Sequence, residues 1–211
     1  MESEAKADRR EWWARSRAWI SILLLAPFAV GTLLSEPSVP ANTPWYLLLE
    51  AVGWTCFLVG GTVRWWATLY IGGRKTMNVV SEGPYSICRN PLYVGTFLIV
   101  LAIAFYLPSL TFAAGLAVTS VFYLGVTVSA EERRLGQMFG AAYARYCEEV
   151  PRFFPRLRIP RTEPVIEVVM DGLKAEAVRA ARYVWVPLIA EAIAHLRLVL
   201  ESWWPHYWSL P

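Results

Sequence analysis

Apolar residues along this chain gather into long runs divided by short polar stretches. The run from Asn90 to Ala130 holds no Asp, Glu, Lys or Arg. As one helix it would reach about 60 Å, about twice the hydrocarbon thickness of a bilayer, so it must fold back on itself. Leu107-Pro108-Ser109 supplies the turn, because proline has no backbone donor and steers the preceding residue away from helix. The pattern predicts helices over residues 92–107 and 110–129. A second uncharged run, residues 18–35, is long enough for one short span kinked at Pro27. Mixed charge ahead of it, and no small-residue cleavage pattern, favour a retained span over a signal peptide. A third span, residues 45–70, carries Glu50 and Arg64 near its ends; both side chains are expected to snorkel toward the headgroups.

After the hairpin the pattern changes. Residues 131–149 read as one amphipathic helix with Leu135, Met138, Phe139, Ala142 and Tyr146 on one side, ended by Pro151. Residues 164–182 are amphipathic, and residues 183–200 are apolar but contain Pro187, Glu191, His195 and Arg197. Three ionisable groups in one span are costly, so this tail is expected to lie in the interface, with a fifth span as the alternative. Glu191 and His195, four apart, are placed to pair on one helical face. Trp12, Trp13, Trp65, Trp66, Trp203, Trp204, Tyr207 and Trp208 suit aromatic belts. The expected architecture is an all-α, multi-pass membrane protein with about four transmembrane helices. It divides into a polar arm (residues 1–17), a two-helix membrane unit (18–70), a core containing the hairpin (71–155) and a helical tail (156–211).

Composition agrees, with 56% of residues hydrophobic and only 18% charged, fewer charges than a soluble domain carries. The positive residues mark sides. Lys6, Arg9, Arg10, Arg15 and Arg17 precede the first run, Arg74, Lys75 and Arg89 lie in the loop at 71–91, and arginines crowd the chain after Ser129, while the loops at 35–44 and at Pro108 have none. Four spans with both termini cytoplasmic satisfy every loop. The net charge of +3 is then an orientation signal, and nucleic acid is not needed as a partner to explain it. Cys56, Cys88 and Cys147 show neither metal nor disulfide spacing and read as free thiols.

The chemistry-bearing string is Gly83-Pro84-Tyr85, then Arg89-Asn90-Pro91-Leu92-Tyr93-Val94-Gly95 at the hairpin's start, then Glu131-Glu132 after it. Phe139-Gly140, Tyr143-Ala144-Arg145-Tyr146 and Val150-Pro151-Arg152-Phe153-Phe154-Pro155 follow. Singly, Arg89 reads equally as a helix-end cation, and the acidic pair as a helix start favoured by the dipole. A hairpin, however, returns its two polar ends to one place, so the turn at 89–95 and Glu131 become neighbours. A carboxylate there can accept from an ammonium or from hydroxyls, an arginine can meet a carboxylate, and Tyr85 and Tyr93 offer ring faces.

The ordered combination resembles the family of isoprenylcysteine carboxyl methyltransferases and phospholipid methyltransferases, over roughly residues 64–155. The resemblance implies S-adenosyl-L-methionine as cofactor, contacting Met77, Asn78, Val79, Val80, Tyr85, Arg89, Asn90, Pro91, Leu92, Tyr93 and Glu131, with Glu132 behind as a supporting partner. It implies no metal and assigns no catalytic side chain. Two positions depart from the family pattern. Asn90 stands where histidine is usual, and an amide cannot titrate near neutrality. Thr127 stands where prenylcysteine enzymes place an arginine for the substrate carboxylate, which turns the implied acceptor toward a neutral or amine group such as a lipid headgroup. The expected activity is methyl transfer to a lipid-soluble or membrane-delivered small molecule. Intramembrane sterol reductases share the R-x-P-x-Y turn and an ending like Tyr146-Cys147 to Val150-Pro151, so a nicotinamide-dependent reductase is one alternative and a non-enzymatic scaffold another.

Overall fold

The structure is a computed structural model and describes residues 23, 26–32, 38–40, 43–71, 78–156, 158–162, 164–166 and 168–200. The regular elements among them are all helical. Helix α1 runs Pro44–Ile71. A 3-10 turn, Gly83–Ser86, precedes α2, Pro91–Tyr106, and α3, Leu110–Tyr123, which passes through a π-helical segment, Leu124–Val128, into α4, Ser129–Phe139. Then come α5, Ala141–Glu149, α6, Met170–Tyr183, and α7, Trp185–Val199. Residues 26–32 are helical as well.

Among the described residues two helical stretches, Pro44–Ile71 and Leu110–Phe139, are long and apolar enough to cross a bilayer. A soluble protein would bury such helices, yet only 11% of the apolar window of α1 and 29% of the second lie inside the protein. Trp45, Leu47, Leu58, Leu110 and Val121 stand exposed. Apolar surface on that scale marks a face for an apolar surrounding, and association with a membrane accounts for it. Helix α2 is apolar but shorter.

The hairpin forms where the sequence places it, with Pro108 between α2 and α3. Helices α1 and α2 form the tightest pair, because glycines let their backbones meet: a Cβ on Gly60 would lie 2.7 Å from the Gly95 carbonyl oxygen, and one on Gly95 would lie 2.7 Å from that of Gly60. Small residues at such crossings are the usual device for close approach in membranes. The far ends of the spans are tied together by Ser38 N donating to the Pro108 carbonyl (2.9 Å) and Thr32 Oγ1 to Ser109 Oγ (3.4 Å).

Three expectations are corrected. The helix expected over 131–149 is two, because Gly140 adopts φ 52°, ψ −124°, a conformation that only glycine enters cheaply. After the break Tyr143 and Tyr146 are the buried residues, while Met138 and Ala142 face out.

Arg64 does not snorkel. It is 7% exposed, its Nε and Nη2 gripped by Glu176 Oε1 and Oε2 of α6 at 2.7 and 3.0 Å, and its guanidinium carbon lies 5.4 Å from the centre of the Tyr183 ring. Glu191 accepts from Trp54 Nε1 at 2.9 Å in place of the expected pairing with His195.

The tail, for which the sequence left an interfacial helix and a fifth span open, packs against the other helices. Helix α6 packs on α1 and α7 on α2, Ala190 sits among Ala102 and Tyr106, and Arg197 donates to the Thr32 carbonyl. Between α6 and α7 only Val184 intervenes, itself at helical φ and ψ (−59°, −30°), and the break falls where Pro187 would meet the carbonyl four residues back. The trio of ionisable groups that argued against a span is met in part by these partners. Of the first span only residues 23 and 26–32 are described, Pro27 among them and helical, and the arm and the four aromatics after residue 200 lie outside the described residues.

Candidate functional site

At the end of the helices where α1 finishes and α2 begins, a cleft opens between them and the helices after the hairpin. Of the residues singled out from sequence, Asn78, Val79, Val80, Tyr85, Arg89, Asn90, Leu92, Tyr93 and Glu131 line it together. Pro91 and Glu132 do not, and Met77 lies outside the described residues. The lining also takes in Ile71, Leu135, Phe139, Tyr143 and Tyr146. Leu135, Phe139 and Tyr146 were legible as an apolar face; Tyr143, four residues from Phe139 and three from Tyr146, falls at the edge of that same face and was left out of it.

Each wall has a local cause. The 3-10 turn starts at Gly83, whose φ of 54° suits glycine and against which Tyr70 packs so closely that a Cβ would lie 2.4 Å from its ring. Ser86 Oγ closes the turn onto the Gly83 carbonyl at 2.7 Å. Segment 156–162 straps it from outside: Gly83 N donates to the Arg161 carbonyl (2.7 Å), Arg161 N to Ser86 Oγ (3.1 Å), and Arg158 to the Ser86 carbonyl. Tyr146 reaches across from α5 and donates to the Tyr85 carbonyl at 2.8 Å. Opposite, the π-helical segment ends three residues before Glu131; such segments, rare in helices, recur at functional sites.

Glu132 holds the back of the cleft. Its Oε1 accepts from Asn90 Nδ2 at 3.0 Å, and Arg89 Nη1 lies 3.7 Å from the same oxygen. Its Oε2 lies 2.9 Å from Arg152 Nε, an ion pair without hydrogen-bond alignment. Asn90 also donates to the Arg152 carbonyl at 3.2 Å and Arg152 to Ser129 Oγ at 2.7 Å, so this cluster stitches α2, α4 and the chain after α5 into one frame. Asn90 in the histidine position is thus a two-way cross-link.

The groups facing the cleft are less occupied. Glu131 makes no ion pair or hydrogen bond with another described side chain, and Tyr85 Oη and Arg89 Nε are buried without a partner among the described residues. Burial, reinforced by Tyr146, pushes the Tyr85 hydroxyl well above its ordinary range, and burial foremost raises Tyr143 and Tyr146 too, so all three stay protonated donors at neutral pH. Arg89 Nη1 also lies 2.7 Å from Cys147 Sγ. Cys88 is buried, its thiol toward the Phe153 carbonyl at 3.2 Å and its pKa raised by burial; a thiol so placed is packing and no nucleophile. The cleft therefore presents one free carboxylate, one cation with a spare donor, protonated phenols and an apolar floor.

Comparisons with known proteins point to a family. Residues 48–142 match the sequence profile of a family described as phospholipid methyltransferase. The chain is 30% identical, over 92% of its length and 87% of the relative's, to the nickel-cobalt-cadmium resistance protein NccN of Alcaligenes xylosoxydans xylosoxydans. It is 32% identical, over 71% of its length and 68% of the relative's, to the cobalt-zinc-cadmium resistance protein CzcN of Cupriavidus metallidurans. No solved structure matches it.

Proposed function

We propose that this chain, which belongs to the phospholipid methyltransferase family, transfers a methyl group from S-adenosyl-L-methionine to a lipid-soluble or membrane-delivered acceptor. The observation that carries this reading is the convergence on one cleft of unsatisfied groups complementary to that cofactor. Glu131 suits its ammonium or ribose hydroxyls, the spare donor of Arg89 suits its carboxylate, Tyr85 Oη suits a further acceptor, and the rings suit its adenine and cationic centre. When bound, the cofactor supplies a methyl on a sulfonium, which leaves by in-line displacement and asks the protein mainly for proximity and orientation.

The residues serve that task. Glu132, Asn90 and Arg152 fix the backbone that carries Arg89 and Glu131, so the binding groups are set before a ligand arrives. No histidine lines the cleft among its described residues, which suits an acceptor that arrives already nucleophilic, as an unprotonated amine does. The cleft lies at the ends of the apolar helices, where a lipid headgroup is presented. The metal-resistance names of the two relatives fit an acceptor that is a membrane component facing those ions.

We read α1, α2 and the stretch from α3 into α4 as spans, preceded by a span over residues 18–35, with the cleft on the cytoplasmic side where Arg74, Lys75 and Arg89 gather. The packing of α6 and α7 along α1 and α2 supports the tail as a further crossing, which places the end of α7 on the side away from the cleft.

Membranes from cells expressing the chain, supplied with methyl-deuterated S-adenosyl-L-methionine, should yield one lipid-extract species carrying the label, read by mass spectrometry. Label in the aqueous fraction alone would overturn the lipid-soluble acceptor.

A further inference from the structure

We infer that Glu176, in the tail beyond the residues matched to the family, is a positioning residue for the cleft: it fixes Arg64 so that Arg64 in turn fixes the first turn of α2. The inference rests on the cofactor reading above for its link to binding, and on geometry alone for its link to the cleft wall.

Glu176 is 1% exposed. It occupies Nε and Nη2 of Arg64 with both carboxylate oxygens, and Arg179 Nη1 meets its Oε2 at 2.9 Å. That grip leaves Nη1 of Arg64 as the free arm, directed to the Leu92 carbonyl at 3.4 Å and to Thr96 Oγ1. Leu92 and Tyr93 are cleft-lining residues. The arginine stem reaches α2 only because Gly95 lacks a side chain, since a Cβ there would lie 2.6 Å from Arg64 Cγ.

An arginine at this depth without its carboxylate turns toward the nearest water or headgroup, and the arm on Leu92 leaves with it. Stability alone does not require such a pair, because well-packed apolar residues of similar volume replace buried ion pairs with little or no loss. What an apolar pair cannot supply is the donor to α2.

The test follows from that difference. The double variant Arg64→Met with Glu176→Met removes the charges together, and the single variant Glu176→Gln leaves Arg64 half-held. Three readings are taken on full-length protein in detergent: the melting midpoint, the hydrogen exchange of the Tyr93 and Val94 amides, both bonded to the Asn90 carbonyl at 3.0 Å, and S-adenosyl-L-methionine affinity. The double variant should melt near the wild type, yet exchange those amides at least about tenfold faster and bind the cofactor about tenfold more weakly. Faster exchange in a wild-type-like melt, with no cofactor binding even by the wild type, would keep Glu176 as the positioning residue of the wall and overturn the cofactor reading. Unchanged exchange in a double variant of native melting behaviour would overturn the inference, whatever the affinity does. Glu176→Gln should move exchange the same way; a variant that exchanges as the wild type does would count against it equally.

Discussion

Replacing Glu131 with alanine should weaken S-adenosyl-L-methionine binding by about 10- to 100-fold, since a charge-assisted hydrogen bond contributes about 1.5–3 kcal/mol. The size of the effect follows from isolation. Glu131 lines the cleft with no ion pair or hydrogen bond to another described side chain, so its loss removes a ligand contact without freeing a buried partner, and the fold should be untouched. The adjacent carboxylate supplies the contrast. Glu132 is engaged by Asn90, Arg89 and Arg152, and its removal would strand two arginines. Calorimetric titration of the folded Glu131→Ala variant checks this; wild-type affinity would remove Glu131 from the site.

The second large effect is one of side. If α1 and α2 cross the bilayer, the tail crosses beside them. Glu176 meets Arg64 near the cleft end, Glu191 meets Trp54 further along, and Arg197 meets Thr32 at the end where Ser109 lies. From Glu176 to Arg197 a helix rises about 31 Å, matching the ~30 Å hydrocarbon layer. A cysteine placed at Leu200 should therefore react with an impermeant reagent from the side opposite one placed at Ser81. Labelling of both from the same face would return the tail to the interface and both termini to the cytoplasm.

How far the sequence carried these conclusions depended on whether a feature was local. The hairpin was legible because one proline interrupts an uncharged run too long for a single span, and the meeting of the turn at 89–95 with Glu131 follows from that topology. The Gly140 break was not, because an amphipathic pattern continues through it and a glycine inside a helix does not announce a positive φ. Tyr143, four residues from Phe139 and eight from Leu135, lies on their side of the helix by spacing alone, so it was legible and was passed over. Arg64 was misread for a different reason. Snorkelling is the default for an arginine a turn or two from a span's end, and the carboxylate that overrides it lies in a tail more than a hundred positions away. The same distance hid the partners of Glu191 and Arg197, so the summed cost of ionisable groups was weighed without the contacts that offset part of it.

The central claim is that the cleft holds S-adenosyl-L-methionine. Titrating the purified wild-type protein with that cofactor and, in parallel, with NADPH tests it most directly. The account predicts saturable binding of S-adenosyl-L-methionine at about one molecule per chain and none of NADPH; saturable binding of NADPH with none of S-adenosyl-L-methionine would contradict it.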